Sequence, residues 1–323
     1  VVHRVTLEDV ARAAGVSAAT ASRALSGRGP ASPATRSRVG SAARDLGYVP
    51  NAAARALATR GGPRVAVAVG GVTADVLADQ YVGRVVAAAA GVAGAHEAGV
   101  SLHWLPLDDP GALARLGENR AIGAVLVVNP TQELLAAAPR SLRGRVAAIG
   151  VGTREVAAFD VDNAGGTARV VEHLLGGGRR RVAMVSGVGW LPCVQRAVGA
   201  YARVVEEAGC PVRVVPGDFS AVRGEEAAVE IMRRWPDTDA VYALGDLSAL
   251  GVLGALRRAG VDVPGDVAVA GFDDLPVASL GALTTSTNPV EEIAAGAVSA
   301  VLEGRARRPV ELFPSVLVVR ETG

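Results

Sequence analysis

Apolar positions recur at helical spacing along the first 50 residues. Leu7, Val10, Ala11 and Ala14 fall on one face of a helix whose first turn carries Glu8 and Asp9, where the positive end of the helix dipole favours acids. Thr6 stands at its N-cap. Gly15 then marks a sharp turn, and Ser17 caps a second helix predicted to run to about Leu25. Helix, a glycine-containing turn of about three or four residues, then helix is the spacing of a helix-turn-helix. A third helix is predicted from Ser32 as cap, Pro33 at the first helical position, Val39, Ala42, Ala43 and Leu46 inside, and Gly47 at the end. Tyr48 and Val49 close this small core.

Gly61-Gly62-Pro63 breaks the pattern. Beyond it, β-rich runs at 64–69, 123–128, 145–150, 181–185, 240–244 and 266–271 alternate with helical stretches near 81–98, 164–177, 194–209, 224–235, 247–260 and 289–303. Such alternation predicts parallel sheets covered by helices on both faces. The units are too many for one ordinary sheet, so the body is expected to be an α/β structure of two lobes. The expected organisation is a helix-turn-helix headpiece over 1–50, a connector over 51–63 and a body over 64–323.

Half of the 323 residues are hydrophobic but only 3% are aromatic, so Ala, Val and Leu must build the interior. Every apolar run is broken well before the roughly 18 residues that a membrane span needs. Val1 to Asp9 lack the apolar core of an export signal, so a cytoplasmic protein without a membrane partner is expected. Cys193 and Cys210 lack CxxC spacing and the four histidines are scattered. Both cysteines read as buried thiols, and no metal or other cofactor is expected. All 33 basic residues are arginine. The formal net charge of +1 conceals an asymmetry: residues 1–60 carry nine arginines against three acids, net +6, and the remainder carries 24 against 29, net −5. A basic head on an acidic body is the footprint of a protein whose head meets a polyanion.

The run Val5-Thr-Leu-Glu-Asp-Val-Ala-Arg-Ala-Ala-Gly-Val-Ser-Ala-Ala-Thr-Ala-Ser-Arg-Ala-Leu-Ser-Gly27, then Thr35-Arg36 and Leu46-Gly-Tyr-Val-Pro-Asn-Ala-Ala-Ala-Arg-Ala-Leu57, resembles the headpiece of LacI-type (LacI/GalR) repressors across the first 58 residues. The resemblance implies a transcriptional regulator, a repressor that binds a pseudo-palindromic double-stranded DNA operator as a homodimer or tetramer. It places the helix from Ser17 in the major groove and Thr6, Ser17, Ser32 and Thr35 at phosphates. Ala18 and Ala19 occupy the two positions that discriminate operators in the family. Alanine offers only a methyl contact, so direct readout must lean on Thr20, Ser22 and Arg23, with DNA shape supplying the rest. The resemblance further implies a hinge helix, capped by Asn51 and containing Ala54 and Leu57, whose leucine wedges into the minor groove. About eight residues do not hold a helix alone in water, so the hinge is expected to form only where two copies pack over the operator.

In the body, Val161-Asp-Asn-Ala-Gly-Gly166, Ala270-Gly-Phe-Asp-Asp274, Leu283-Thr-Thr285 and Leu317-Val-Val-Arg320 are similar to motifs of the same family. They imply the fold of periplasmic sugar-binding proteins, with crossings between lobes near 159, 288 and 314. The first lobe is then about 64–158 and 289–313, the second about 159–288 and 314–323. A small-molecule effector is expected in the cleft, at the C-terminal ends of the strands. Asp273 would bond its hydroxyls, Phe219 would stack on it, and Asp246 and Arg196 would lie beside them. Several family positions differ. With Tyr201 aligned to the family's aromatic, Ala197 stands where a ligand-binding arginine is usual, and Arg196 points about 100° away on the helix. Gly245 replaces an asparagine, Gly150 an aspartate, and Val69-Gly70-Gly71-Val72 lacks an acid. The effector class stays open between a sugar, a bulkier or less polar metabolite, and none. Whether ligand releases or promotes DNA binding stays open too.

Two other classes are disfavoured. Gly187-Val-Gly189-Trp-Leu-Pro192 mimics part of a dinucleotide loop, but Pro192 stands where a third glycine belongs. Nucleophile elbow, P-loop and HExxH motifs are missing, so the chain is not read as an enzyme. An exported solute-binding protein would share the body but would carry an export signal in place of the basic head.

Overall fold

The computed structural model describes residues 5–26, 30–48, 64–305 and 310–323, and the chain divides into two compact units, Val1–Pro63 and Arg64–Gly323. The first holds α1 (Leu7–Ala13), α2 (Ala18–Ser26) and α3 (Pro33–Asp45). Each helix starts at a hydroxyl that satisfies an orphan backbone N–H. Thr6 Oγ1 accepts from the Asp9 amide while the Asp9 carboxylate accepts from the Thr6 amide, a reciprocal capping box. Ser17 Oγ accepts from the Thr20 amide at 3.2 Å, and Ser32 Oγ from the Thr35 amide at 3.1 Å. Gly15, at φ 63°, makes the turn between α1 and α2 in a region that glycine enters without penalty. Val10, Ala11, Ala14, Ala21, Val39 and Ala43 form the buried core, built almost wholly of small side chains. The expected hinge, with Asn51, Ala54 and Leu57, lies outside the described residues.

The second unit begins with β1 (Arg64–Gly71), α4 (Gln80–Ala95), β2 (Gly99–Pro106), α5 (Ala112–Glu118), β3 (Ile122–Val128), α6 (Gln132–Ala136), β4 (Val146–Ile149) and β5 (Ala157–Val161). It continues with α7 (Asn163–Gly176), β6 (Val182–Val185), α8 (Pro192–Glu207), β7 (Val214–Val215), α9 (Ala221–Arg234), β8 (Ala240–Ala243), α10 (Asp246–Arg258), β9 (Ala268–Ala270), α11 (Pro276–Leu280) and β10 (Thr285–Ser286). The chain closes with α12 (Val290–Leu302), β11 (Val310–Phe313) and β12 (Leu317–Val318). One parallel sheet has the order β11-β5-β4-β3-β1-β2 and the other the order β7-β6-β8-β9. Their central strands are Val- and Ala-rich and buried along nearly their whole length, as strands covered on both faces must be.

Three crossings join the lobes. The first follows Val161, a little beyond the expected 159, because β5 stays paired with β11 through Phe313 and Val161. Its buried Asp160 interrupts the apolar run that marks a strand. The second runs through Thr287 to Pro289 into α12, and the third leaves β11 for β12, which pairs antiparallel with β10. Ser286 and Ser315 lock these last two crossings together, their hydroxyls 2.6 Å apart.

Candidate functional site

In the first unit, α2 exposes Ala19, Ser22 and Arg23, spaced i, i+3 and i+4 and therefore on one stripe. Ala18 and Thr20 are half-buried. The Thr20 hydroxyl lies 2.9 Å from Ser17 Oγ and accepts from Arg23 Nη2 at 3.3 Å, so it braces the arginine against the start of the helix. Ser17 and Ser32 are exposed caps, and Thr35 Oγ1 lies 2.9 Å from Ser32 Oγ. Thr6 is likewise exposed, with its hydroxyl turned onto Asp9 at 2.8 Å. The hydroxyls expected at phosphates are thus the ones that begin the helices, where backbone N–H groups point outward.

In the second unit, a cavity of about 420 Å³ opens between the lobes, within the size range of small-molecule sites of about 300–1,000 Å³. Tyr81, Arg84 and Asp160 line it from the first lobe, Phe219 and Asp273 from the second, and Asn288 from the second crossing. Asp273 follows β9 with φ 108° and Phe219 has φ 72°, backbone settings costing a non-glycine residue on the order of 1–3 kcal/mol each. Strain of this kind persists only where the surroundings hold it. The Asp273 amide donates to the Ser286 carbonyl at 2.8 Å, and its carboxylate accepts from Asn288 Nδ2 at 2.9 Å. Burial pushes Asp273 up to about 6, against smaller opposite pulls from Asn288 and Arg84. The Phe219 ring lies on Gly187, where a Cβ would collide with it. Gly187 therefore serves ring packing, and the resemblance of this stretch to a dinucleotide loop needs no ligand at that glycine.

Two expected ligand contacts are engaged elsewhere. Arg196 is not on the cavity wall, and its guanidinium is bound to the buried carboxylate of Asp160. A sealed carboxylate captures the nearest cation, and Asp160 is still pushed up to about 6 by burial, with Arg196 the largest opposing influence. Asp246 borders the cavity but is fully buried, with Oδ1 accepting from Thr285 Oγ1 at 2.6 Å and Oδ2 from the Leu275 amide at 2.7 Å. It pins the segment that carries Asp273 to the start of α10. Cys210 is buried, whereas Cys193, expected to be buried, is half-buried on the cavity wall.

Arg84 was invisible in the sequence reading. On α4 it donates through Nε and Nη2 to the two carboxylate oxygens of Glu291 on α12, each at 2.7 Å, and through Nη2 to the Asn288 carbonyl at 3.3 Å. Tyr81 and Arg84 lie within a stretch read only as helix. Asp79, which caps α4 through the Tyr81 amide, supplies an acid that the Val69–Val72 loop lacks. Among the described residues no group of three His, Cys, Asp or Glu side chains is placed to hold a metal ion, and no helix is long and apolar enough to cross a membrane.

Residues 6–51 match the family described as bacterial regulatory proteins, lacI family, and residues 171–322 match the periplasmic binding protein-like domain. The HTH-type transcriptional regulator CelR of Thermobifida fusca is 34% identical, over 99% of this chain and 99% of its own. Among solved structures, the lac repressor dimer bound to operator and the anti-inducer ONPF matches with a TM-score of 0.85 at 25% identity, covering 98% of each chain. The CelR–cellobiose complex matches at 0.70 and 28% identity, covering 99% of this chain and 100% of its own. A helix-turn-helix unit followed by a two-lobed sensor, over the full length of such relatives, leaves one assignment: this chain belongs to the LacI family and is a DNA-binding transcriptional regulator, not an enzyme.

Proposed function

We propose that the protein is a repressor that binds a pseudo-palindromic operator as a homodimer, and that a small molecule held between the lobes sets its affinity for that operator. The observation that carries this reading is the cavity's position at the crossings. Asp160 stands at the first and Asn288 at the second, so a ligand on that wall touches the segments about which the lobes turn. A ligand shifts such an equilibrium only by binding one setting of the lobes better than the other. The lac repressor dimer solved on its operator and CelR solved with cellobiose support the two halves of the reading, and CelR points to a carbohydrate-like effector. In this proposal residues 51–63, with Asn51, Ala54 and Leu57, couple the sensor to the operator, and the α2 stripe of Ala19, Ser22 and Arg23 reads bases while Thr6, Ser17, Ser32 and Thr35 face phosphates.

The test is a fluorescence anisotropy titration of the full chain on a duplex recovered by in vitro selection. The expected preference over a scrambled duplex is about a thousandfold or more. Equal affinity for the two duplexes overturns the reading.

A further inference from the structure

The cavity wall carries more negative charge than its cations offset. Five acids and one arginine line it: Asp79, Asp160, Asp218, Asp246 and Asp273 against Arg84. The charge of Arg84 is met by both oxygens of Glu291, and that of Asp160 by Arg196. Asp246, sealed against Thr285 and the Leu275 amide, is pushed up to about 7 by burial and adds little charge. The remaining three carboxylates have neutral hydrogen-bond partners: the Tyr81 amide for Asp79, the Ser220 amide for Asp218 and Asn288 for Asp273. Such a wall repels an anion.

It is also rich in acceptors. Asn288, nine-tenths buried, spends Nδ2 on Asp273 and leaves Oδ1 without a hydrogen-bond partner. A buried carbonyl oxygen left unpaired costs about 1–3 kcal/mol, and only a donor relieves it. A hydroxyl would relieve it but would bring lone pairs that need donors in turn. The position that usually carries an arginine is the fully buried Ala197, and Arg196 is committed to Asp160. Next to this corner lies the Phe219 ring. A Cβ on Gly245 would stand 3.3 Å from Phe219 Cδ1 and 4.0 Å from Asp273 Oδ2, so the ring and the carboxylate share the space that the glycine leaves open. An ammonium group is donor-only, carries the missing charge, and is attracted to an aromatic face.

We propose that the effector carries a protonated amine, seated between the Phe219 ring and the Asp273 carboxylate with Asn288 Oδ1 accepting one of its N–H bonds. The proposal rests on the reading of this cavity as the effector site. It favours an organic cation over a metal ion, since no metal-holding group occurs among the described residues.

Isothermal titration of the full chain near pH 7, where aliphatic amines stay largely protonated, tests it with matched probes: glucose, glucosamine and N-acetylglucosamine, and the same three derivatives of galactose. The expected result is an amino sugar binding at least about tenfold tighter than both of its neutral counterparts, with the preference lost in Asp273→Asn. If that variant does not fold, Asp218→Asn, at an exposed position on the rim, is expected to weaken the amino sugar about two- to fivefold more than it weakens the neutral sugars, an equal loss for all overturning the charge preference. A neutral sugar binding as tightly as its amino partner overturns the amine and leaves the cavity as effector site. Binding by none of the six overturns both.

Discussion

A carboxyl group sealed from water must find donors or give up its charge, and Asp246 does both. Its oxygens are held by Thr285 and the Leu275 amide, and burial still pushes it up to about 7. Against an unfolded value near 3.9, the folded state binds this proton more tightly. The contribution to stability is therefore fully present below about pH 4 and is lost as pH rises through about 7. Asp160 and Asp273, each pushed up to about 6, add the same sign. His103, lowered by burial, gives the opposite slope below its ordinary value, from one half-buried ring. Asp109, Asp237 and Glu291 are lowered and act only below the ordinary carboxylate range. Wild-type protein is expected to resist urea better at about pH 5 than at about pH 8. Asn at position 246 can copy the neutral acid, accepting from Leu275 and donating to Thr285. Asp246→Asn should match wild type at the lower pH and exceed it at the higher, and a variant weaker at both would refute this account. At this scale the sequence alone is least informative: which carboxylate Arg196 pairs with depends on Asp160, 36 positions away, and Phe219 and Asp273 could be singled out only through the family resemblance.

Elements were easier to read than side chains, wherever burial left a mark on the pattern. β1, β3, β6 and β8 are unbroken apolar runs, and all four were expected. β2 is an edge strand with Leu102 and Trp104 partly exposed, so its polarity alternates irregularly and no strand was predicted there. β5 was hidden by Asp160 and β11 by its exposed, acid-containing edge. The three headpiece helices were legible because their caps are chemical punctuation, which also makes them testable. Ser32 starts α3 over a core of small residues, so losing the cap should cost about 1 kcal/mol. Ser32→Ala is expected to speed amide exchange in the first turn of α3 about fivefold and to weaken operator binding. Ser32→Asp keeps an acceptor for the Thr35 amide and adds a negative charge. If Ser32 also faces a phosphate, it should hold the helix at wild-type protection yet bind the operator more weakly than the alanine variant. Retained DNA affinity in the aspartate variant would limit Ser32 to capping.

At the scale of the whole molecule, charge and apolar surface make complementary demands. In the proposed function the first 60 residues, of net +6, carry one recognition stripe that reads one half-site, whereas a palindrome needs two. On the second lobe of the body Val222 and Val229 are exposed two turns apart on α9, and Leu280, at the end of α11, is 87% exposed, so these side chains are where the contact of the proposed homodimer is sought. Joining two heads makes the second contact intramolecular, which raises affinity by about a hundredfold or more without any new contact to DNA. It also doubles the phosphates engaged, and the logarithm of affinity falls with the logarithm of salt by roughly 0.9 for each phosphate neutralised. The double variant Val229→Arg, Leu280→Arg should sediment as a monomer at micromolar concentration. It should lose about a hundredfold in operator affinity and show roughly half the wild-type salt slope. An unaltered dimer would move the interface off this surface. A monomer that kept the full slope would show that one head already makes every phosphate contact, and the two-headed grip would have to be abandoned.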